Sequence, residues 1–430
     1  MVFSWRKRKP RNGDKKVHHI HMELEIPRHF ICPIALDLMK DPVTLSSGIT
    51  YDRESIDKWL EDGNFTCPVT NQVLTSFDQI PNHSLRKMIQ DWCVENRSHG
   101  IQRIPTPRIP VTSAQVSEVL FSITDSKRRL DQCACLDSVG KIKKWGLESE
   151  RNRRCIVAND AAGVIAAAFD AFAGDSFEKN ARLLEEILCV MNWMFPFAQE
   201  AELYLGSQAS LRCMVWFLKS KDISVKQNSI NVLKELLSCD QQHGQHLAAI
   251  DGVNRILFKF IKDQISPSIT KASLMVIFHM VSSSNEKIKA EFVEMGLVSL
   301  LLESIIESEK SYCERALGVI DKLCETKQGR EFAYSNALAM PVLVKKILRI
   351  SEVATEYSVS AIWKLSKYEE KVLMEALQVG AFQKLLLLIQ VGCSDETKEK
   401  ATELLKLLNP YRPGLECIDS LDFKDIKRSF

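Results

Sequence analysis

At 430 residues and a formal charge of +2, the chain is long enough for two or three domains and too evenly charged for a global pull towards nucleic acid or membrane surfaces. Thirteen cysteines, an odd number scattered over positions that read as helical, suit reduced thiols packed as small hydrophobes in cytosol or nucleus. The apolar runs "AAGVIAAAFDAFAG" and "LLLLIQVGC" are too short or interrupted to cross a bilayer.

Residues 1–24 form a basic, aperiodic stretch in which Arg6, Lys7, Arg8, Lys9, Arg11, Lys15 and Lys16 crowd together. The polar "VHHIH" follows where a secretory signal would place its apolar segment, so export is not expected. The stretch reads as a solvated tail, with nuclear targeting or contact with anionic lipid as the alternative.

Residues 25–98 carry dense turn signals. "FICPIALDLM" opens a loop at Cys32-Pro33, and "DPVTLSSGITY" reads as a β-hairpin around a Ser-Ser-Gly turn. In "YDRESIDKWLEDG", Asp52 is the expected N-cap, Ile56, Trp59 and Leu60 share a face, and Gly63 is the stop. "FTCPVTNQVL" repeats the Cys-Pro step, and a further helix carries Leu85, Met88, Ile89, Trp92 and Cys93 at helical spacing. Two pinned loops around a short helix outline a zinc-bound RING finger, which needs eight Cys/His ligands in close pairs. The segment offers only His29, Cys32, Cys67, His83 and Cys93, so no metal site is expected; His18, His19 and His21 belong to the tail.

"GIQRIPTPRIP" places three prolines within six positions and marks residues 99–114 as an extended linker. Beyond it, residues 115–410 show nearly continuous helical periodicity. Small residues open an apolar helix at Gly163, Gly206, Gly252, Gly296, Ala337 and Gly380, spaced 43, 46, 44, 41 and 43 residues apart. A second series, Ala181, Ser229, Ala272, Ala316, Ala361 and Ala401, keeps spacings of 48, 43, 44, 45 and 40. Two markers in step at forty-odd residues predict an α-solenoid of about six repeats, because one helical hairpin cannot bury its apolar stripe alone. "AIWKLSK" (residues 361–367) resembles the third-helix phrase of armadillo repeats. The asparagine of that phrase is replaced by Lys367, and Ile187, Glu235, Phe278, Lys322 and Leu407 stand at the matching positions, so the peptide-binding asparagine ladder of import carriers is absent. Residues 411–430 read as a C-terminal tail.

Across residues 25–98, "ICPIALDLMKDPVTLSSGITYDRESIDKWL", "CPVTNQVL" and "IPNHSLRKMIQDW" resemble the U-box, the zinc-free relative of the RING. With the repeats behind it, the chain resembles the plant U-box and armadillo-repeat ubiquitin-protein ligases. The implied fold is mostly α: a small RING-like α+β U-box followed by an armadillo-type α-solenoid. Hydrogen bonds and salt bridges are expected to replace zinc, with Asp37, Lys40, Asp41, Ser46, Ser47, Tyr51, Asp52, Arg53, Thr70 and Asn82 as candidates. Ser46, Ser47 and Asp52 read equally as turn or cap residues.

The resemblance implies transfer by proximity: the U-box docks a charged ubiquitin-conjugating enzyme, makes no covalent bond to ubiquitin, needs no cofactor, and promotes transfer to substrate lysines and to itself. The implied docking patch is Ile34, Leu36 and Met39 from loop one, Trp59 from the central helix and Pro68 from loop two, although a helical Trp could also pack inward. Asn71 stands where the wider group carries a cationic residue that bridges ubiquitin and the conjugating enzyme, so donor restraint is expected to be weaker. Leu38, Ile56, Leu60, Val69 and Leu85 read as core. A protein substrate is expected on the repeats, with Lys271, Arg315, Lys322, Trp363, Lys364 and Lys367 as groove candidates against a reading as solvated helix residues.

The resemblance implies plant stress or immune signalling and leaves the oligomeric state open, a homodimer through the U-box being one alternative; the reduced cysteines suit a cytoplasmic location, with nuclear or peripheral membrane association as alternatives. A non-catalytic armadillo adaptor is the competing class, opposed by the intact patch of Ile34, Trp59 and Pro68. An import or nucleic-acid-binding role is opposed by the balanced charge.

Overall fold

The structure, a computed structural model, describes residues 26–104, 110–282, 285–367 and 369–414. The basic stretch 1–24, the centre of the proline-rich stretch and residues 415–430 lie outside the described residues. Backbone contacts divide the chain into two compact units, Met1–Ile109 and Pro110–Phe430.

In the first unit the two Cys-Pro steps build two loops of one backbone design. Cys32 N–H donates to the Asp37 carbonyl (2.8 Å) and Leu36 N–H to the Cys32 carbonyl (2.9 Å). In the second loop, Cys67 N–H donates to Gln72 (2.8 Å) and Asn71 N–H to Cys67 (2.8 Å). Each loop closes with a bridge, Ile31 to Leu38 and Thr66 to Val73, and each turns through a left-handed residue, Leu36 at φ 57° and Asn71 at φ 56°. Asparagine tolerates that conformation, whereas leucine there is strained by about 1 kcal/mol.

The same unit holds an antiparallel sheet of order β2-β1-β3, with β1 Pro42–Thr44 and β2 Thr50–Asp52 from the chain between the loops and β3 Ile80–Pro81 from the chain after loop two. Val43 stands opposite Tyr51, and Gly48 turns the hairpin at φ 78°. Helix α1, Arg53–Glu61, buries Ile56, and helix α2, His83–Glu95, buries Ile89 and Cys93. The Asn82 side chain caps α2 by accepting from Leu85 N–H (3.0 Å). These residues close on Phe30, Cys32, Met39, Tyr51, Cys67 and Leu74, and Ile104 joins that core, so the start of the proline-rich stretch packs here.

The second unit is helical throughout. Thr112 and Gln115 form a capping box for α3, Ser113–Arg129, which pairs with α4, Gln132–Glu148. Six triplets follow: α5 Glu150–Ala158, α6 Ala161–Ser176 and α7 Ala181–Met191; α8 Gln199–Leu205, α9 Gln208–Leu218 and α10 Ile223–Cys239; α11 Gln241–Ala248, α12 Val253–Asp263 and α13 Pro267–Ser282; α14 Glu286–Glu294, α15 Leu297–Ser304 and α16 Lys310–Leu323; α17 Lys327–Ser335, α18 Ala339–Lys346 and α19 Glu352–Ser366; α20 Glu370–Gln378, α21 Ala381–Val391 and α22 Asp395–Leu408. A short 3-10 turn, Asn409–Gly414, packs on the last helix.

Each triplet ends in a helix that stacks on its counterpart in the next, from α7 on α10 through to α19 on α22. Ser229, Ala272, Ala316, Ala361 and Ala401 sit in those stacks, none more than 4% exposed, where small side chains let helices approach. Ala181 departs from the series: it opens α7 and is half-buried. Gly252, Gly296 and Gly380 take φ 79°, 82° and 81° in the turns into α12, α15 and α21, a conformation that favours glycine. Repeats are also stapled by polar side chains: the Lys384 ammonium donates to the carbonyls of Val344 (2.9 Å), Lys345 (3.1 Å) and Ile347 (3.1 Å) at the end of α18.

Candidate functional site

The two loops of the first unit are held by polar side chains in the manner of a metal cross-brace. Asp52 does not cap α1 with its side chain; its carboxylate accepts from the backbone N–H groups of Lys40 (2.7 Å) and Asp41 (2.8 Å), tying loop one to β2. Asp41 in turn accepts from Arg53 (2.7 Å) and pairs with Arg86 (3.5 Å), joining loop one to both helices. Arg53 also donates to Gln79 (3.0 Å), which donates to Asp57 (2.5 Å). Arg86, Gln79 and Asp57 were not among the expected network residues. Arg86 falls one turn after the cap Asn82, a spacing that faces the sheet and could have marked it.

The cysteines of the Cys-Pro steps are both buried, and both sulfurs meet donors. Cys32 Sγ accepts from Asp52 N–H (3.3 Å). Val69 N–H donates to Tyr51 Oη (3.3 Å), which lies 3.0 Å from Cys67 Sγ. Burial acts to raise the Cys67 thiol, but the hydroxyls of Ser47, Thr70 and Tyr51 outweigh it and bring the group down to about 6, while burial and the Cys67 contact raise Tyr51. An unfolded thiol titrates near about 8.5, so between about pH 6 and 8.5 the unfolded chain binds the extra proton and stability rises with pH. Thermal melting of the full chain is expected to show that rise, and Cys67→Ala is expected to flatten it. An unchanged slope would remove the thiolate from the account.

Between loop one and α1 lies a cleft of about 560 Å³ with Ile34, Ala35, Leu38 and Trp59 on its apolar wall. Ile34 is half-buried, and Leu36 stands 75% exposed at the loop tip. Trp59 does two jobs: it lines the cleft, and its Nε1–H donates to the Thr66 carbonyl (2.8 Å), clamping loop two to α1. Pro68 is half-buried and Asn71 exposed, both on loop two. The expectation for Met39 is corrected: it is 1% exposed and belongs to the core. Met39 N–H pairs with the Phe30 carbonyl (2.9 Å), and alternation in this extended segment turns Met39 inward. Leu38, expected as core, is half-buried and packs against that core while also lining the cleft. Val69, also expected as core, is 51% exposed because its N–H, not its side chain, turns to Tyr51.

In the second unit, half of the expected groove residues are spent on internal ion pairs. Lys271 pairs with Glu309, Lys322 with Glu325 (3.0 Å), and Lys364 with Asp321 (2.8 Å) and Glu325 (3.5 Å). Lys364 of α19 reaches back to Asp321 of α16, and Lys271 of α13 reaches forward to Glu309 at the N-cap of α16, so both join repeats and are not free cations. Trp363 donates to Glu403 (2.7 Å), and the Lys367 ammonium lies 4.9 Å from its ring centroid. Arg315 is half-buried and enters no ion pair among the described residues. Phe278, at one missing asparagine position, meets Tyr357 at 6.1 Å between ring centroids. Gly318 lies between them, where a Cβ would come within 3.1 Å of both rings.

Comparison with known proteins agrees with this geometry. The family model for the U-box domain matches residues 26–98, and that for the plant U-box protein ARM repeat region matches residues 115–428. The chain is 49% identical over 441 residues to U-box domain-containing protein 21 of Arabidopsis thaliana, covering 100% of both. It is 32% identical to E3 ubiquitin-protein ligase PUB22 of Arabidopsis thaliana, covering 90% of this chain and 94% of that one. A designed armadillo repeat protein of solved structure is 20% identical with a TM-score of 0.47, covering 53% of this chain and 94% of that chain.

Proposed function

Because the chain belongs to the plant U-box proteins that carry an armadillo-repeat region, we infer that it is a ubiquitin-protein ligase whose U-box recruits a ubiquitin-conjugating enzyme and whose repeats bind the protein substrate. The observation that carries the reading is the cleft beside Ile34 and Trp59, continued by the exposed tip at Leu36: an open apolar surface on a rigid loop, of the kind soluble proteins otherwise cover. Ubiquitin passes directly from the conjugating enzyme to a lysine. Cys32, Cys67 and Cys93 are all buried, so no described thiol of this unit is exposed to take a thioester. Self-ubiquitination with a panel of charged conjugating enzymes tests the reading. Chains with at least one of them support it, and none with any would favour an adaptor.

Asn71 occupies in loop two the place of Leu36 in loop one, exposed at the turn. A guanidinium there adds charge assistance to the contact with ubiquitin. Asn71→Arg is therefore expected to speed ubiquitin discharge roughly three- to tenfold, since charged hydrogen bonds exceed neutral ones by about 1 kcal/mol. No change in a single-turnover assay would remove Asn71 from the transfer step.

The proposal extends to a homodimer through the U-box. Phe65 and Phe77, 5.6 Å apart, form a second exposed apolar pair, and Val73 and Ile80 of the same unit are exposed as well. Light scattering of wild type against Phe77→Asp tests it, the variant being expected as monomer. The free thiols of the described cysteines favour the reducing cytoplasm as the working compartment, and cell fractionation checks this. The stress or defence setting is carried into the proposal by family resemblance, and altered stress responses in a loss-of-function plant would test it.

A further inference from the structure

The repeats end on a helix face that breaks their own pattern. Each second helix from α6 to α18 packs against the first helix of the following triplet: α6 on α8, α9 on α11, α12 on α14, α15 on α17 and α18 on α20. Helix α21 is the second helix of the last triplet, and among the described residues no triplet follows it. Counted from the N-caps Gly252, Gly296, Leu338 and Gly380, the seventh position of α12, α15 and α18 is charged and exposed, as Lys259, Glu303 and Lys345, whereas in α21 it is Leu387, 49% exposed. The sixth position is half-buried Phe258 and buried Leu302 and Val344 in those helices, but Leu386 is 43% exposed. With the exposed Val391 one turn further on, α21 presents an apolar stripe where its predecessors carry a charge or are covered. A free solenoid end carries a polar outer face, so this one is built to be covered.

We propose that residues 415–430 of this chain dock on the stripe of Leu386, Leu387 and Val391, standing where a next repeat would. The path of the chain favours this occupant. First helices meet the third helix before them, as α20 meets α19, and the preceding first helix, as α17 meets α14; the 3-10 turn Asn409–Gly414 likewise packs on α22 and on α20. That turn takes the place of a next first helix, and the residues after it fall to the place of a next second helix, beside α21. The family model for the repeat region also runs past Gly414 to residue 428, so it matches this segment as part of the repeats. The composition fits as well. Phe423, Ile426 and Phe430 recur at three and four residues, the spacing of one helix face, after Leu415, Ile418 and Leu421. Sixteen residues span about 24 Å as a helix, enough to overlie the eleven of α21. Helix α21 carries no carboxylate, and burial, then the charges of Arg349 and Lys345, hold its Lys384 ammonium below the usual pKa. Lys345 and Arg349 are exposed and enter no ion pair among the described residues, so carboxylates brought here are favoured. Glu416, Asp419 and Asp422 open the segment, ahead of its cations Lys424, Lys427 and Arg428 and the last carboxylate, Asp425. A second copy docking by the same face would instead bring two such basic clusters into one interface.

Hydrogen exchange of the full chain, read by mass spectrometry alongside light scattering, tests the proposal without relying on ubiquitin transfer. Amides of residues 416–430 are expected to exchange roughly tenfold or more slowly than in a free peptide of the same sequence. Both Phe423→Asp/Ile426→Asp, within the segment, and Leu386→Asp/Leu387→Asp, on exposed positions of α21, should abolish that protection while α3 to α19 exchange as in wild type. Free exchange of the segment in wild type overturns the proposal. So does protection that survives Leu386→Asp/Leu387→Asp, which would put the segment on another surface. A dimer that this variant abolishes, with the segment exchanging freely throughout, would make a second copy the occupant. A photoreactive benzophenone side chain at position 423 gives a reading that no variant's folding can confound: it should cross-link to the peptide that holds α21, and cross-links confined to other helices, or to a second chain, overturn the proposal.

Discussion

Replacing Ile34 with alanine is expected to lower ubiquitin transfer by about 30-fold or more while the protein stays folded. Ile34 sits on the wall of the cleft, half-buried, on a loop whose backbone is fixed by the Cys32, Asp37 and Leu36 hydrogen bonds. An apolar side chain held rigidly at the centre of a contact has the properties of an interface hot spot, for which truncation costs about 2 kcal/mol or more. That converts to about 30-fold in affinity. The loop itself depends little on the side chain, because it is closed by backbone pairing and by Asp52. Discharge kinetics and circular dichroism check the two halves of the expectation, and a loss of activity with a loss of fold would count against it.

Asp41→Ala is expected to destabilise the first unit by about 2–3 kcal/mol and to remove transfer with it. Asp41 bridges Arg53 and Arg86, and the three side chains are 21%, 18% and 19% exposed. Removing one partner of a fully buried pair costs about 3–5 kcal/mol, and partial exposure reduces that figure. The loss leaves the Arg53 and Arg86 guanidinium groups beside the start of β1 with no carboxylate between them. A small unit has only about 5 kcal/mol or slightly more to lose, so its melting temperature should fall sharply while the repeats, melting separately, hold. Added zinc should not restore it, since the segment has too few ligands in too scattered an arrangement. Normal melting in the variant would show that the ion triad is not the brace.

Much of this was legible before any coordinates. The repeat was visible because inter-repeat burial demands a small residue at a fixed place, and Ser229 to Ala401 keep it. It blurred at Ala181, because α7 has 11 residues where the other third helices have 14 to 17, so the marker falls on its first residue and a longer connection, 192–198, follows it. The Cys-Pro loops were visible because proline and the hairpin turn are local signals. What the loops do with their side chains was less so. Asp52 reads as a cap from its neighbours in sequence, but its acceptors are used eleven and twelve residues away, and no local rule distinguishes the two. Met39 departs from expectation for a related reason: successive side chains of an extended segment point to opposite faces, and local sequence does not say which of them turns inward. The lysines of the second unit misled in another way, because whether a cation is free depends on the carboxylate one repeat away.

The measurement closest to the central claim is single-turnover discharge of ubiquitin from a charged conjugating enzyme onto free lysine, by the full chain in the presence of a strong zinc chelator. The account predicts accelerated discharge that the chelator leaves intact and that Ile34→Ala removes. Discharge that collapses on chelation, or that survives the loss of Ile34, would contradict it.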